Sequence, residues 1–160
     1  SEKMRFDLTV NILTNYAYNK GFIKVFGGEQ YRPNIHIDDM CNLYSLLLNT
    51  DLNKINGEIF NAGHQNLKVI EIANKVKKIT EKLTDKNIEI RVEKSNDIRS
   101  YQINSDKIQQ KLDYKFNKSV EDAITDLIMN FKNNNIIDSF NPKWQNLSIL
   151  KNLELNNFEL

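Results

Sequence analysis

The run Gly57-Glu-Ile-Phe-Asn-Ala-Gly63 is the tightest constraint on what this chain can fold into. It is a short apolar stretch between two glycines, and it reads as a strand buried on both faces. Such a strand belongs inside a parallel sheet and needs hydrogen-bonded neighbours. It lies between two helical patterns, so the chain is expected to be α/β, with strands and helices alternating. The other strand patterns are few and scattered. The expectation follows that part of the sheet is supplied from outside these 160 residues.

The flanking elements read as follows. Residues 6–20 carry Phe6, Leu8, Val10, Ile12, Leu13, Tyr16 and Ala17 at helical spacing and stop at Gly21, a residue type that ends helices. Asp7 suits the positive end of that helix dipole. Residues 22–26 form a strand, Gly27-Gly28 a turn, and residues 34–37 a second short strand. Asp38 is placed to cap a helix over 39–48 that buries Met40, Leu43, Tyr44, Leu47 and Leu48. An amphipathic helix over 69–83 buries Val69, Ile72, Ala73, Val76 and Ile79. Residues 87–93 alternate as a strand with Ile88, Ile90 and Val92 inward. A loop over 95–101 leads to a helix capped by Ser105, and Ser119-Val-Glu-Asp122 is a capping box for a last helix to Asn133. No repeat or linker divides residues 1–133, and the Asn-rich tail 134–160 has no assigned role.

Composition excludes several classes. Apolar residues make up 40% and charged residues 27%, the balance of a chain with a core. Lys+Arg 22 against Asp+Glu 21 leaves a net charge of +1, so no global field gathers nucleic acid or an anionic membrane. No apolar run is long enough to span a bilayer, and no secretory leader opens the chain. The single Cys41 excludes an internal disulfide and fits a reducing compartment. A soluble cytoplasmic protein is the expectation. Met4 leads directly into helix-like sequence, a hint of a fragment.

The chemistry-bearing residues divide into decoys and candidates. Tyr16-Ala-Tyr-Asn-Lys20 places a phenol and an ammonium on one helix face, the spacing of a Tyr-x-x-x-Lys proton relay. No glycine-rich dinucleotide loop accompanies it, and Lys20 beside the helix stop simply complements the dipole. The pair reads as a chance match. His36, His64 and Cys41 lack metal-ligand spacing. His36 reads as a hydrogen-bonded core histidine, Cys41 as a buried helix residue, and Asp38-Asp39 as a helix cap with a first-turn carboxylate. Arg32 has more to it. Pro33 holds its backbone extended, between a glycine turn and a strand, so a guanidinium on a rigid base can reach a phosphate or carboxylate. Arg99 stands in a comparable loop. Spacing alone weighs equally for two solvated surface arginines.

The order of the segments adds to this. MRFDL, then IKVFGGEQYRPNIHIDDM, GEIFNAG, the amphipathic helix, and DIRSYQINSDKIQQKLDY together resemble, over residues 4–132, the C-terminal half of an extended short-chain dehydrogenase/reductase. These are the NAD-dependent nucleotide-sugar epimerases and dehydratases. The resemblance implies an α/β substrate-binding lobe of a Rossmann-type enzyme, without the N-terminal Rossmann half. That half carries the NAD loop and the catalytic Tyr and Lys, and its helices often mediate a homodimer. The substrate implied is a nucleoside-diphosphate sugar, and NAD belongs to the complete enzyme, with none expected on this chain alone. Arg32 takes the place of the arginine on the diphosphate. Lys24 and Phe26 fall where the family lays a strand against the base. Asp7-Leu8 matches a pair whose first residue touches phosphate; an aspartate there repels it, so Arg5 or Asn11 serves in its place. Lys94 replaces an arginine of the family pattern, Asp97 matches the residue that bonds the ribose, and Arg99 supplies a second guanidinium. His36, Asp38 and Asn61 match architectural positions. On this reading the chain holds substrate and is inactive alone. The alternative is a non-catalytic binding or interaction module, or the partner of a separate Rossmann half.

Overall fold

The computed structural model describes residues 4–95, 99–136, 138–146, 149–151 and 153. Its elements, in order, are α1 (Thr9–Lys20), β1 (Phe22–Phe26), β2 (Tyr31–Asn34), α2 (Ile37–Leu48), α3 (Leu52–Ile55), β3 (Gln65–Lys68), α4 (Val69–Thr84), β4 (Glu89–Glu93), α5 (Asp106–Leu112) and α6 (Val120–Lys132), with a 3-10 turn at Pro142–Trp144. The fold is α/β, as the alternation predicts. β1 and β4 pair in parallel: Glu89 N–H donates to Gly21 O (3.3 Å) and Gly27 N–H to Glu93 O (2.9 Å). β2 and β3 pair antiparallel, with Tyr31 opposite Lys68 and Arg32 opposite Leu67. Among the described residues no helix is long and apolar enough to cross a membrane.

Two compact units interleave in the sequence. One takes the described residues of Ser1–Lys24, Ala73–Arg91 and Ile124–Leu160; the other takes Val25–Ile72 and Val92–Ala123. In the first, Phe6, Leu127 and Phe131 form a buried cluster with Met4, Tyr18, Ile136 and Trp144 packed around it. Phe6 lies in the turn before α1 rather than in the helix, its ring 5.8 Å from Phe131. Gly21 ends α1 at φ 76°, a left-handed cap that glycine reaches without steric cost. The described tail packs here too. Asn15, 1% exposed, donates to Ser139 O and accepts from Ser139 Oγ (2.6 Å), and Phe6 N–H donates to Trp144 O (3.0 Å).

In the second unit, Leu43, Ile108 and Tyr114 form the core, with Leu46, Leu47, Phe60, Ala62, Leu112 and Phe116 against them. Several local expectations change here. His36 precedes α2 as its N-cap, its Nδ1 accepting Asp38 N–H (3.1 Å); it is buried and bonded, but as a cap rather than in a strand. The carboxylate of Asp39, one residue on, has a longer reach. Fully buried, it accepts N–H groups from Asn117 (3.1 Å) and Lys118 (3.0 Å), while Asp39 O accepts the Tyr114 hydroxyl. Ser105 does not cap α5. Asn104 Oδ1 accepts Asp106 N–H (2.8 Å), and Ser105 Oγ accepts Gly63 N–H (2.9 Å). The capping box at Ser119 and Asp122 forms as expected.

Residues 57–63 are not a strand, because among the described residues no neighbour pairs with them. Glu58 instead holds Lys107 (2.6 Å) and Lys111, whose hydrogen bonds push its carboxyl down to about 2. Tyr44, Leu48 and Cys41, read as buried, are exposed, as is Val92 of β4. In each case an apolar face lies open where the sequence pattern assumed a covering layer.

Two substitutions test this packing. Asp39→Ala empties a buried site and leaves two part-buried N–H groups without their acceptor, and is expected to lower stability by about 2–4 kcal/mol, whereas Asp38→Ala, at an exposed side chain near the dipole, costs under about 1 kcal/mol; urea denaturation of both variants measures the difference. A Cβ at Gly63 would lie 2.4 Å from Ile103 Cδ1 and 2.9 Å from its Cγ1. Gly63→Ala therefore lowers the thermal midpoint by several degrees, and Ile103→Ala added to it costs less than in the parent, a coupling that a double-mutant cycle reads.

Candidate functional site

The second unit builds its site on β2. Gly27 (φ 76°) and Gly28 (φ 120°) turn the chain after β1, in backbone conformations that L side chains rarely adopt. The Gln30 side chain locks the turn: Oε1 accepts Gly28 N–H and Nε2 donates to Phe26 O, both at 2.7 Å. β2 follows, and β3 occupies one of its edges. Residues 99–103 run along the other. Ser100 Oγ accepts Tyr31 N–H (2.9 Å) and Tyr101 N–H donates to Tyr31 O (3.4 Å). Further along, Asn66 stands in for a strand: its Oδ1 accepts Ile103 N–H (3.1 Å) and its Nδ2 donates to Ile103 O (2.9 Å). N–H groups alternate sides along a strand, so the proton Pro33 lacks is one that would have pointed at this second edge.

Arg32 is set into this frame. Its Nη1 donates to Tyr31 O (2.9 Å) and to Arg99 O, and its guanidinium lies 5.2 Å from the centre of the Tyr101 ring. Two carbonyls and an aromatic face fix the plane of the cation, the preorganisation that planar oxyanion recognition requires. Of the residues singled out from sequence, Arg32 and Arg99 are brought together here, Arg99 through its carbonyl. Phe26, half exposed, ends β1 just before the glycine turn, and Lys94 is exposed at the end of β4. Asp97 lies outside the described residues. Tyr31, Ser100 and Tyr101 were not singled out; the one signal for them is the period-2 run Tyr101, Ile103, Ser105 after Arg99.

Arg5, Leu8, Asn11 and Lys24 belong to the other unit. Arg5 and Asp7 form a two-pronged pair, Nε to Oδ1 3.1 Å and Nη2 to Oδ2 3.0 Å, and the Asn11 amide donates to Arg5 O (2.9 Å). Hydrogen bonding to Arg5 holds the Asp7 carboxyl below its ordinary value and raises Arg5 in turn. The aspartate's charge is thus met locally, by the same arginine suggested to replace it on phosphate. Leu8 caps α1 and is partly exposed, and Lys24 is exposed on β1. Tyr16 and Lys20 do not form a relay. Tyr16 packs edge-on against Phe22 and Phe140, and the Lys20 ammonium lies over the Phe140 ring (4.8 Å).

A groove of about 490 Å³ in the second unit is lined by Gly63, His64, Asn66, Ile103, Ser105 and Phe116, among others. None of the residues assigned to the substrate lines it. The polar groups of Asn66 and Ser105 are turned to backbone partners, and His64 Nδ1 meets Lys118 O (2.8 Å) while its ring stacks on Phe116 (5.4 Å). The β2 frame, not this groove, carries the arginines.

No protein-family model and no curated protein sequence matches the chain. Solved structures do. UDP-glucuronic acid 4-epimerase from Bacillus cereus, with UDP-glucuronic acid and NAD, superposes at a TM-score of 0.65 with 23% identity, over 79% of this chain and 41% of that one. dTDP-glucose 4,6-dehydratase from Bacillus anthracis, with NAD, gives 0.62 and 16%, over 90% and 43%. L-threonine dehydrogenase from Phytophthora infestans gives 0.64 at 10% identity, over 79% and 41%. The chain therefore has the fold of the extended short-chain dehydrogenases/reductases, across about two fifths of the length of those enzymes.

Proposed function

We propose that this chain is the portion of an NAD-dependent nucleotide-sugar epimerase or dehydratase that holds the nucleoside diphosphate of the substrate, in the cytoplasm, and that it has no turnover alone. The observation that carries the reading is Arg32: a guanidinium oriented by Tyr31 O, Arg99 O and Tyr101, at the sequence position where the resemblance puts the diphosphate. Two of the solved structures with this fold are named for nucleotide-sugar enzymes, and one of them was solved with its UDP-sugar, which supports the substrate class. The fold alone does not choose it, since an L-threonine dehydrogenase shares that fold.

Within this reading the chain supplies binding and orientation. Arg32 and Arg99 meet the diphosphate charge, Phe26 and Lys24 lie against the base, and Lys94 and Asp97 complete the contacts. Arg5, Leu8 and Asn11, on the other unit, keep the substrate-binding role that the resemblance implies. Fixing the diphosphate fixes where the sugar can point, and positioning of that kind lowers the entropic part of a barrier without touching bonds. The residues present do not fit NAD. The five glycines, at 21, 27, 28, 57 and 63, have no dinucleotide-loop spacing, and the Tyr16/Lys20 pair is packed among aromatic rings. Hydride transfer therefore belongs to a catalytic half, and no step of it is assigned to residues here. A second reading, a non-catalytic interaction module, is favoured by the open apolar face of α2.

Calorimetry with UDP-, dTDP-, GDP- and CDP-sugars separates the two readings. One of these ligands is expected to bind at sub-millimolar Kd. Arg32→Ala should weaken that binding by about 10- to 100-fold, the loss of a charge-assisted contact, and Arg32→Lys should restore only part of it. Millimolar or absent binding of all four ligands, or unchanged binding in Arg32→Ala, contradicts the assignment. Epimerisation or dehydration by the purified chain contradicts its inactivity.

A further inference from the structure

The proposed function makes no use of the 490 Å³ groove in the second unit, whose size is that of a small-molecule site. Its charge sets it apart from the Arg32 frame. Among the described residues no lysine or arginine lines it, and the one carboxylate is Asp106. A phosphate or carboxylate ligand would meet no guanidinium or ammonium there and would be repelled by Asp106. The rest of the lining is mostly amides, a hydroxyl and aromatic rings.

These polar groups are only partly used. Ser105 is 6% exposed; its Oγ accepts Gly63 N–H (2.9 Å), and its own proton has no acceptor among the described residues. A polar group this buried ordinarily has its hydrogen bonds met. His64 Nδ1 meets Lys118 O (2.8 Å), and a carbonyl only accepts, so Nδ1 carries the proton and Nε2 of the neutral ring is left as an acceptor. Asp106 Oδ2 accepts the Asn104 amide (2.8 Å), which leaves Oδ1. Gln109 Nε2 reaches Ser105 O (3.5 Å), which leaves Oε1, and the Gln102 amide has no hydrogen-bond partner among the described residues. The groove therefore offers three open acceptors, one buried donor and an amide that does both. Hydroxyls match such a set, because each one donates and accepts.

The aromatic lining is rigid. His64 lies flat on Phe116 (5.4 Å, 11°), and Tyr114 meets Phe116 edge-on (5.2 Å). A fixed ring face takes the C–H groups of a ligand while the polar groups take its rim. A sugar ring has both parts. We infer that the groove is a second binding site, for a neutral saccharide unit without phosphate, with Gln102, Ser105, Asp106 and Gln109 on its hydroxyls and the His64–Phe116 stack on its C–H face. This goes beyond the proposed function and does not rest on it, since no residue assigned to the nucleoside diphosphate takes part.

The test is a titration of the full chain with the methyl glycosides of glucose, galactose, mannose and N-acetylglucosamine, followed through amide and imidazole NMR signals. At least one glycoside is expected to bind with a low-millimolar Kd or tighter, moving the amides of residues 102–106 and the His64 ring nitrogens. Gln102→Ala and Asp106→Ala, both at exposed positions, should each weaken that Kd by about 3- to 10-fold and leave the rest of the spectrum in place. Inorganic phosphate and uridine should leave the groove signals unmoved. No shift with any of the four at tens of millimolar, binding unchanged in both variants, or uridine bound more tightly than every glycoside overturns the inference. Arg32→Ala keeps the two readings apart: it should weaken nucleotide-sugar binding and leave glycoside binding as it was, and loss of glycoside binding in that variant also overturns the inference.

Discussion

A short strand has to satisfy its main-chain groups on both edges, and β2 does so with unlike partners. β3 supplies an ordinary antiparallel ladder on one side. On the other, the 99–103 segment supplies a hydroxyl at Ser100 and a single N–H at Tyr101, and the Arg32 guanidinium binds Tyr31 O and Arg99 O across the same edge. Pro33 sits where an ordinary residue would leave one more donor facing that edge. The orientation of Arg32 is therefore a by-product of main-chain bookkeeping: the carbonyls need donors, and the arginine that meets them is held in one plane. Gly63, Asn66 and Ser105 extend the same economy by fastening residues 103–105 to β3 and to the segment before it.

How much of this could be read from sequence depends on whether the controlling interaction is local. The Gly21 stop, β1, the Gly27-Gly28 turn, α4 and the capping box at Ser119 depend on neighbours a few residues away, and all are found where the pattern puts them. His36 takes the cap role expected of Asp38, and Asp39, expected only as a first-turn carboxylate, holds N–H groups 78 and 79 positions along the chain. No spacing rule reports such a contact. Ser105 looks like a helix cap in sequence, yet its hydroxyl serves Gly63, 42 residues away.

The errors of burial have a common cause. The sequence pattern turns the apolar residues at 41, 44, 48, 59 and 92 inward, and the structure leaves them open. Hydrophobic pattern reports what a side chain prefers, not which surface meets it. The site shows the same divide. Arg32 could be singled out from the glycine turn and Pro33 beside it, whereas its actual partners, Tyr31 O, Arg99 O and the Tyr101 ring, come from a segment more than sixty residues on and from the strand itself. Likeness to solved enzymes supplies the fold and stops there: an epimerase, a dehydratase and a threonine dehydrogenase share it. The proposed substrate class, a nucleoside-diphosphate sugar, rests on the chemistry of that one arginine.

Nitrogen-15 NMR of the chain titrated in turn with UDP-, dTDP-, GDP- and CDP-sugars tests that proposal most directly. If Arg32 holds the diphosphate, the largest shifts fall on the Arg32 side-chain Nε–H and on the amides of Tyr31, Arg32, Ser100 and Tyr101. Shifts confined to the groove around His64 and Phe116, or none with any of the four at millimolar ligand, would contradict it.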